Sequence, residues 1–318
     1  MVPAIKQILR AHIMIGFMNG KTKCICLCEL WCGIQPSRGL AMQKNVLPRI
    51  RRAGVRMFAC LCAVIAFSAA SFAPSTDASA RKIMEDVYKQ DTSHDITMKA
   101  NFQVFDNKGN SSKKDFVLRR IGSPGDSKTL VVFTSPKEIK GVALLSINQQ
   151  GTTDRQFVYT PATQRVRSVV QQERSTRFIG TDFTFEDIGE RVLDDFNYSL
   201  ISDAETIDGH KCSKVEAVPV DPSRSQYKFV YYWIAKDVPV ILFAEMYDAQ
   251  GREVRILHAT DLKKEGGIWG ARHTEMRTLA DGTRTVFTID EVKFNTKPDE
   301  KLFTPQGLAD ASGPASAK

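Results

Sequence analysis

Between residues 95 and 294, apolar side chains recur at every second position in short runs. In the first run Ile96, Met98, Ala100, Phe102 and Val104 share one face, and Thr97, Lys99, Asn101 and Gln103 share the other. Period two marks a half-buried antiparallel strand. The alternation returns to the end of this stretch, broken by turn signals such as Asn107-Lys-Gly-Asn110, Ser123-Pro-Gly-Asp126, Asp208-Gly209 and Asp281-Gly282. The pattern predicts a mainly β (α+β) domain, a barrel or sandwich of ten or eleven strands at hairpin spacing. Before it, Ile83, Met84, Val87 and Tyr88 follow helical spacing within residues 80–90, with Ser75, Thr76 or Asp77 available as cap.

One stretch, 165–188, breaks the alternation. Arg165, Arg167, Arg174 and Arg177 come first, then Phe178, Ile179, Phe183 and Phe185, then Glu186 and Asp187, with Gly180 between. Such a segment can leave the sheet, cross one end of it and return as a lid. Its aromatics would face an apolar interior, while Thr181, Asp182, Thr184, Glu186 and Asp187 stay in water. An ordinary surface loop with aromatic anchors is the alternative.

The beginning of the chain reads as a leader. Arg49, Arg51, Arg52 and Arg56 precede an apolar, small-residue run over 57–72, the order of a secretory signal. The run is shorter than the roughly 20 residues of a membrane span. Met42 opens a conventional signal, so 1–41 reads as an over-long extension, 42–73 as the signal, and the cleavage site falls at about 70–80. The exported protein then localises to the periplasm. Residues 309–318 read as a disordered tail.

Removing the leader changes the charge. The chain has 44 Lys+Arg and 36 Asp+Glu. Residues 1–73 hold ten of the former and one of the latter, leaving 34 against 35. A near-neutral protein offers no electrostatic case for nucleic acid. Six of the seven cysteines also lie in the leader, leaving Cys212. Chemistry is sparse: no H-E-x-x-H, no G-x-S-x-G and no phosphate loop occur, and His210 with Cys212 is the one conceivable nucleophile pair. The reading is a non-enzyme with no cofactor and no metal site.

Three segments carry a family resemblance. Ser135-Pro-Lys-Glu-Ile-Lys-Gly-Val-Ala-Leu-Leu145 resembles a segment that leads into a central strand. Tyr159-Thr-Pro-Ala-Thr-Gln-Arg-Val-Arg167, followed by Phe178-Ile-Gly-Thr-Asp-Phe-Thr-Phe-Glu-Asp-Ile188, resembles the most recognisable signature, and Lys301-Leu-Phe303 the closing one. Over residues 80–308 the chain resembles the LolA-like family of periplasmic outer-membrane lipoprotein-sorting, or lipoprotein carrier, proteins. The resemblance implies an incomplete antiparallel β-barrel of LolA/LolB type, with an N-terminal helix, a lid segment and an interior for acyl chains. The central block is longer and more aromatic than in the best-studied carrier, which leaves lipoprotein and free lipid both open as cargo. Phe102, Phe116, Tyr159, Phe178, Phe183, Phe185, Tyr231 and Trp233 are the candidates to line the cavity, and Arg174 and Arg177 to meet a polar head at its rim. The implied partners are acyl chains, an inner-membrane transporter and an outer-membrane acceptor, for a monomeric carrier. An envelope lipid or lipoprotein sensor, or a soluble partner of a membrane lipid transporter, is the alternative.

Overall fold

A computed structural model describes residues 77–149 and 154–313. The expected extension, the signal and the Gln150-Gly151 turn lie outside the described residues, as do the last five positions. Helix α1 (Ala78–Lys89) opens on Asp77, whose carboxylate accepts the Ser79 N–H at 2.8 Å, the capping expected from sequence. Ala80 and Met84 are buried, and Ile83, Val87 and Tyr88 pack beside them. The 3.6-residue apolar stripe thus lies on the core.

The sheet has thirteen strands rather than ten or eleven. In chain order they are β1 (Asp95–Phe105), β2 (Ser111–Ser123), β3 (Asp126–Phe133), β4 (Ala143–Ile147), β5 (Arg155–Thr160) and β6 (Arg165–Val169), then β7 (Phe196–Ile207), β8 (His210–Pro219), β9 (Phe229–Ala235), β10 (Ile241–Tyr247), β11 (Glu253–Glu265), β12 (Ile268–Thr278) and β13 (Thr283–Phe294). Strand β6 escaped the sequence reading because Arg165, Val166, Arg167 and Ser168 are all exposed, so it has no one-sided pattern. Asp208 and Gly209 both sit at positive φ, 49° and 85°, and join β7 to β8 in a two-residue turn. That turn suits the right-handed twist of a hairpin.

Every neighbouring pair is antiparallel. The order across the sheet is β6-β5-β4-β3-β2-β1-β13-β12-β11-β10-β9-β8-β7. First and last strands are therefore neighbours at the centre, whereas β6 and β7, consecutive in the chain, are the two edges. One apolar cluster takes buried or partly buried side chains from all thirteen strands. Such a cluster requires one face of the sheet to curl around a common interior, which makes an incomplete barrel. The link between the edges, residues 170–195, has to cross that interior. Most of the central stretch, from residue 170 on, is this crossover, while its first five residues form β6.

A second apolar cluster lies on the opposite face of β3–β5. There Leu130, Val132, Leu145 and Tyr159 meet Phe303, Leu308 and Ala311. Leu308 and Ala311 are fully buried on helix α2 (Leu308–Ala311). The expected disordered tail is therefore corrected over residues 309–311: small size and few polar groups let α2 cover an apolar face. Strands β3 and β4 are consequently buried on both sides, which explains their near-continuous apolar sequence.

A candidate binding cavity

The crossover enters the barrel aromatics-first. The Phe178 ring meets Phe133 at 5.6 Å and Phe185 at 5.4 Å between centroids, and Phe102 meets Phe183 at 5.5 Å and Phe116 at 4.8 Å. Five of the eight proposed lining residues thus form one cluster, filling the interior over β1–β3. The turn at its tip places Ile179 and Gly180 at φ 47° and 69°. Only glycine adopts this conformation freely. Bonds from Phe178 N–H to the Phe183 carbonyl and from Thr181 N–H to the Phe178 carbonyl hold Ile179 there.

The polar side of the crossover is not in water. Thr181, Asp182 and Thr184 are fully buried. Asp182 accepts hydroxyls from Thr278 at 2.7 Å, Thr283 at 2.5 Å and Thr285 at 2.7 Å, with Arg177 at 3.3 Å. Asp187 closes a capping box with Thr184 and accepts the Tyr227 hydroxyl at 2.9 Å. Glu186 accepts from Ser225 and the Gln226 N–H, and Glu190 from the Gly125 N–H, Ser127 and Asn148. Four carboxylates stitch the segment to distant parts of the barrel. A one-sided pattern of Phe and Asp fits a surface lid and a pinned plug equally well, and the threonine hydroxyls of β12 and β13 on the buried Asp182 make it the second.

The remaining candidates lie elsewhere. Tyr159 belongs to the outer cluster under Phe303. Tyr231 and Trp233 are on the outer face of β9, where the Lys214 ammonium stands 4.5 and 4.2 Å from their ring centroids. Tyr232 is the β9 aromatic that reaches the interior. Both registers of β9 are apolar, so alternation alone could not choose between them. Arg174 pairs with Asp154 at 2.8 Å, and Arg177 with Asp281 at 2.6 Å. Both expected rim cations are therefore already matched by carboxylates.

The space lies over β10–β12. A cavity of about 310 Å³ is lined by Ala244, Met246, Leu257, Ala259, Ala271 and Met276, with Phe183, Asp187, Arg191 and Tyr232 at its crossover side. Where β1–β3 point Phe102, Phe116 and Phe133 inward, β10–β12 point Ala244, Ala259 and Ala271 beside Met246, Leu257 and Met276. A curled sheet of even spacing then leaves a void on the alanine side. A separate recess of about 510 Å³ shares Ala259 and is lined by Leu242, Val238 and Trp269, which pack in the cluster that holds Trp233. The sequence signal was present in Ala244, Ala259 and Ala271, but a search for aromatics passes over it.

Arg191 is the cation that faces this cavity. It donates to the Tyr232 hydroxyl, and the Asp187 carboxylate is 3.9 Å away. Its guanidinium lies 5.6–5.9 Å from the rings of Phe196, Tyr227 and Tyr232. Burial opposes its charge, but the Tyr232 hydroxyl and Asp187 outweigh burial, so its pKa is raised. Cys212 is buried and donates to its neighbour's carbonyl, that of His210, while the His210 ring pairs with Asp237 at 2.9 Å. Burial pushes the thiol up, and thiol and imidazole bond other groups rather than each other, so the imidazole does not activate the thiol. Among the described residues, no group of three or more His, Cys, Asp or Glu could hold a metal ion, and no helix is long and apolar enough to cross a membrane.

Comparisons with known proteins agree with this architecture. The crystal structure of an outer membrane lipoprotein-sorting protein domain from Vibrio parahaemolyticus is similar over 73% of this chain and 98% of its own, at 24% identity and a TM-score of 0.69. A DUF1329 family protein from Desulfovibrio piger matches over 72% and 98%, also at 24% identity and 0.69. A LolA superfamily protein from Nitrosomonas europaea matches over 71% and 97%, at 19% identity and 0.57. No curated protein matches significantly. A family model described as "-like: Uncharacterized protein" matches residues 125–310, more than half of the chain. The chain therefore belongs to that family and has the LolA-like fold of the outer membrane lipoprotein-sorting proteins.

Proposed function

We propose that this protein is a periplasmic, non-enzymatic carrier that takes the acyl chains of a lipid or lipoprotein into the β10–β12 cavity and sorts them toward the outer membrane. The observation that carries the reading is the alanine-lined void beside a pinned aromatic plug. About 310 Å³ lies at the small end of ligand pockets, roughly 300–1,000 Å³. Each methylene moved from water into such a space contributes roughly 0.8 kcal/mol, so length of chain sets affinity. An inner-membrane transporter and an outer-membrane acceptor are the partners such a carrier needs, and it works as a monomer.

Filling the void tests the reading. Ala259 belongs to both the cavity and the recess. A fluorescent long-chain fatty acid should bind the wild type, and Ala259→Phe should weaken it at least about tenfold without loss of melting temperature, because filling a cavity does not by itself unfold a protein. Equal binding by the two proteins would overturn the assignment of the cavity.

A further inference from the structure

A polar recess of about 120 Å³ lies on the other side of Arg191, which is the one residue common to its lining and that of the apolar cavity. The recess carries six carboxylates against Arg174, Arg191 and Arg224. Among the carboxylates Asp154 stands apart. Its side chain is 7% exposed, and Oδ2 takes the Arg174 guanidinium at 2.8 Å. Among the described residues no donor reaches the buried Oδ1, and the Nε of its partner Arg174 is likewise buried without a bond. Burial pushes this carboxyl up in spite of Arg174. An orphaned buried acceptor is costly until a donor reaches it. In an acid-rich recess the donor that fits is a cationic N–H group.

The order along the molecule is then an apolar cavity, a guanidinium, and an acidic recess with a free acceptor. We infer that the site takes an amphiphile whose head group is zwitterionic: chains in the cavity, phosphate at Arg191, and a primary ammonium at Asp154, as in an aminophospholipid. The inference rests on the carrier reading and adds the head group to it. A trimethylammonium group has the charge but no N–H, so it leaves Oδ1 unsatisfied. Arg191 lines both spaces, and its nearest carboxylate, Asp187, stands at 3.9 Å and is held by Thr184 and Tyr227, so a phosphate would compete with no direct carboxylate bond. The same ammonium chemistry exists in the free α-amine of a diacylated lipopeptide, which the experiment distinguishes.

Native mass spectrometry of the purified protein, equilibrated with equal amounts of dioleoyl phosphatidylethanolamine, phosphatidylcholine and phosphatidylglycerol, reads the preference directly. The ethanolamine lipid should be retained about tenfold over each of the others, the scale of one charge-assisted hydrogen bond. Asp154→Asn should bring the three toward parity. Asp195→Asn, a more exposed change in the same lining, should reduce the preference about threefold with the fold intact. The wild-type comparison stands even if Asp154→Asn does not fold. Equal retention of the three lipids overturns the head-group assignment and leaves the carrier reading standing. Retention of none of the three lipids and of no diacylated peptide overturns both. Retention of a diacylated peptide only when its amine is free, with no ethanolamine lipid bound, moves the ammonium to a peptide and overturns the phospholipid.

Discussion

Trp233 packs on the outer face of β9, where Glu205 accepts its indole N–H and Phe243 meets it edge-on at 5.2 Å. Its bulk therefore supports the sheet and not the cavity. Trp233→Ala should destabilise by about 3 kcal/mol, in the range for a large buried aromatic, and leave acyl-probe affinity of the folded protein unchanged. Urea unfolding and probe titration on the same sample check it; a selective loss of binding would return Trp233 to the cavity wall. On the same face Tyr247 stacks on Phe229 at 4.5 Å. Burial, with Glu245 close by, pushes its hydroxyl from 10.0 up to about 12. The folded state then keeps a proton that the unfolded state releases between these values. Stability should fall as pH rises from about 10 to 12. Tyr247→Phe should flatten that part of the profile, and an unchanged slope in the variant would assign the alkaline loss elsewhere.

At the scale of elements, the crossover is held by its charges as much as by its rings. Asp182→Ala removes the acceptor of three threonine hydroxyls, Thr285's fully buried, and leaves Arg177 with Asp281 and the Thr283 hydroxyl. The expected loss is about 3–5 kcal/mol, as when a buried charge network is broken from one side. Before that change, hydrogen exchange over residues 178–188 should be as slow as in β1, because both are buried and bonded on two sides. After it, exchange should rise in the crossover first. Fast exchange of 178–188 in the wild type would restore a mobile lid and contradict the pinned plug.

For the whole molecule, the pairing of β1 with β13 places the first and last strands at the centre of one sheet. Neither half of the chain completes the interior alone, since one cluster draws on every strand. Trp fluorescence and far-ultraviolet circular dichroism should therefore report coincident urea transitions. Two separated transitions would mean that β1–β6 and β7–β13 fold as independent units.

What the sequence determined by itself is local and periodic. The strand alternation from Ile96 onward, the α1 stripe of Ile83, Met84 and Val87, the Asp77 cap and the Asp208-Gly209 turn all follow from side-chain period and backbone freedom within a few residues. That the sheet is interrupted there was also legible, because the alternation stops, but 165–169 is the edge strand β6 and the break itself is 170–195. Tertiary structure decided everything that depends on what lies opposite. Strand β9 is apolar on both faces, so only its neighbours put Tyr232 inside and Trp233 outside. Asp182 looks solvated until Thr278, Thr283 and Thr285 from two other strands surround it. Arg174 and Arg177 look like rim cations until Asp154 and Asp281 meet them, and Arg191 attracts no notice until the barrel turns it inward. The cavity itself is a difference, between alanines on β10–β12 and phenylalanines on β1–β3, and a difference between strands far apart in the chain exists only once the sheet has curled.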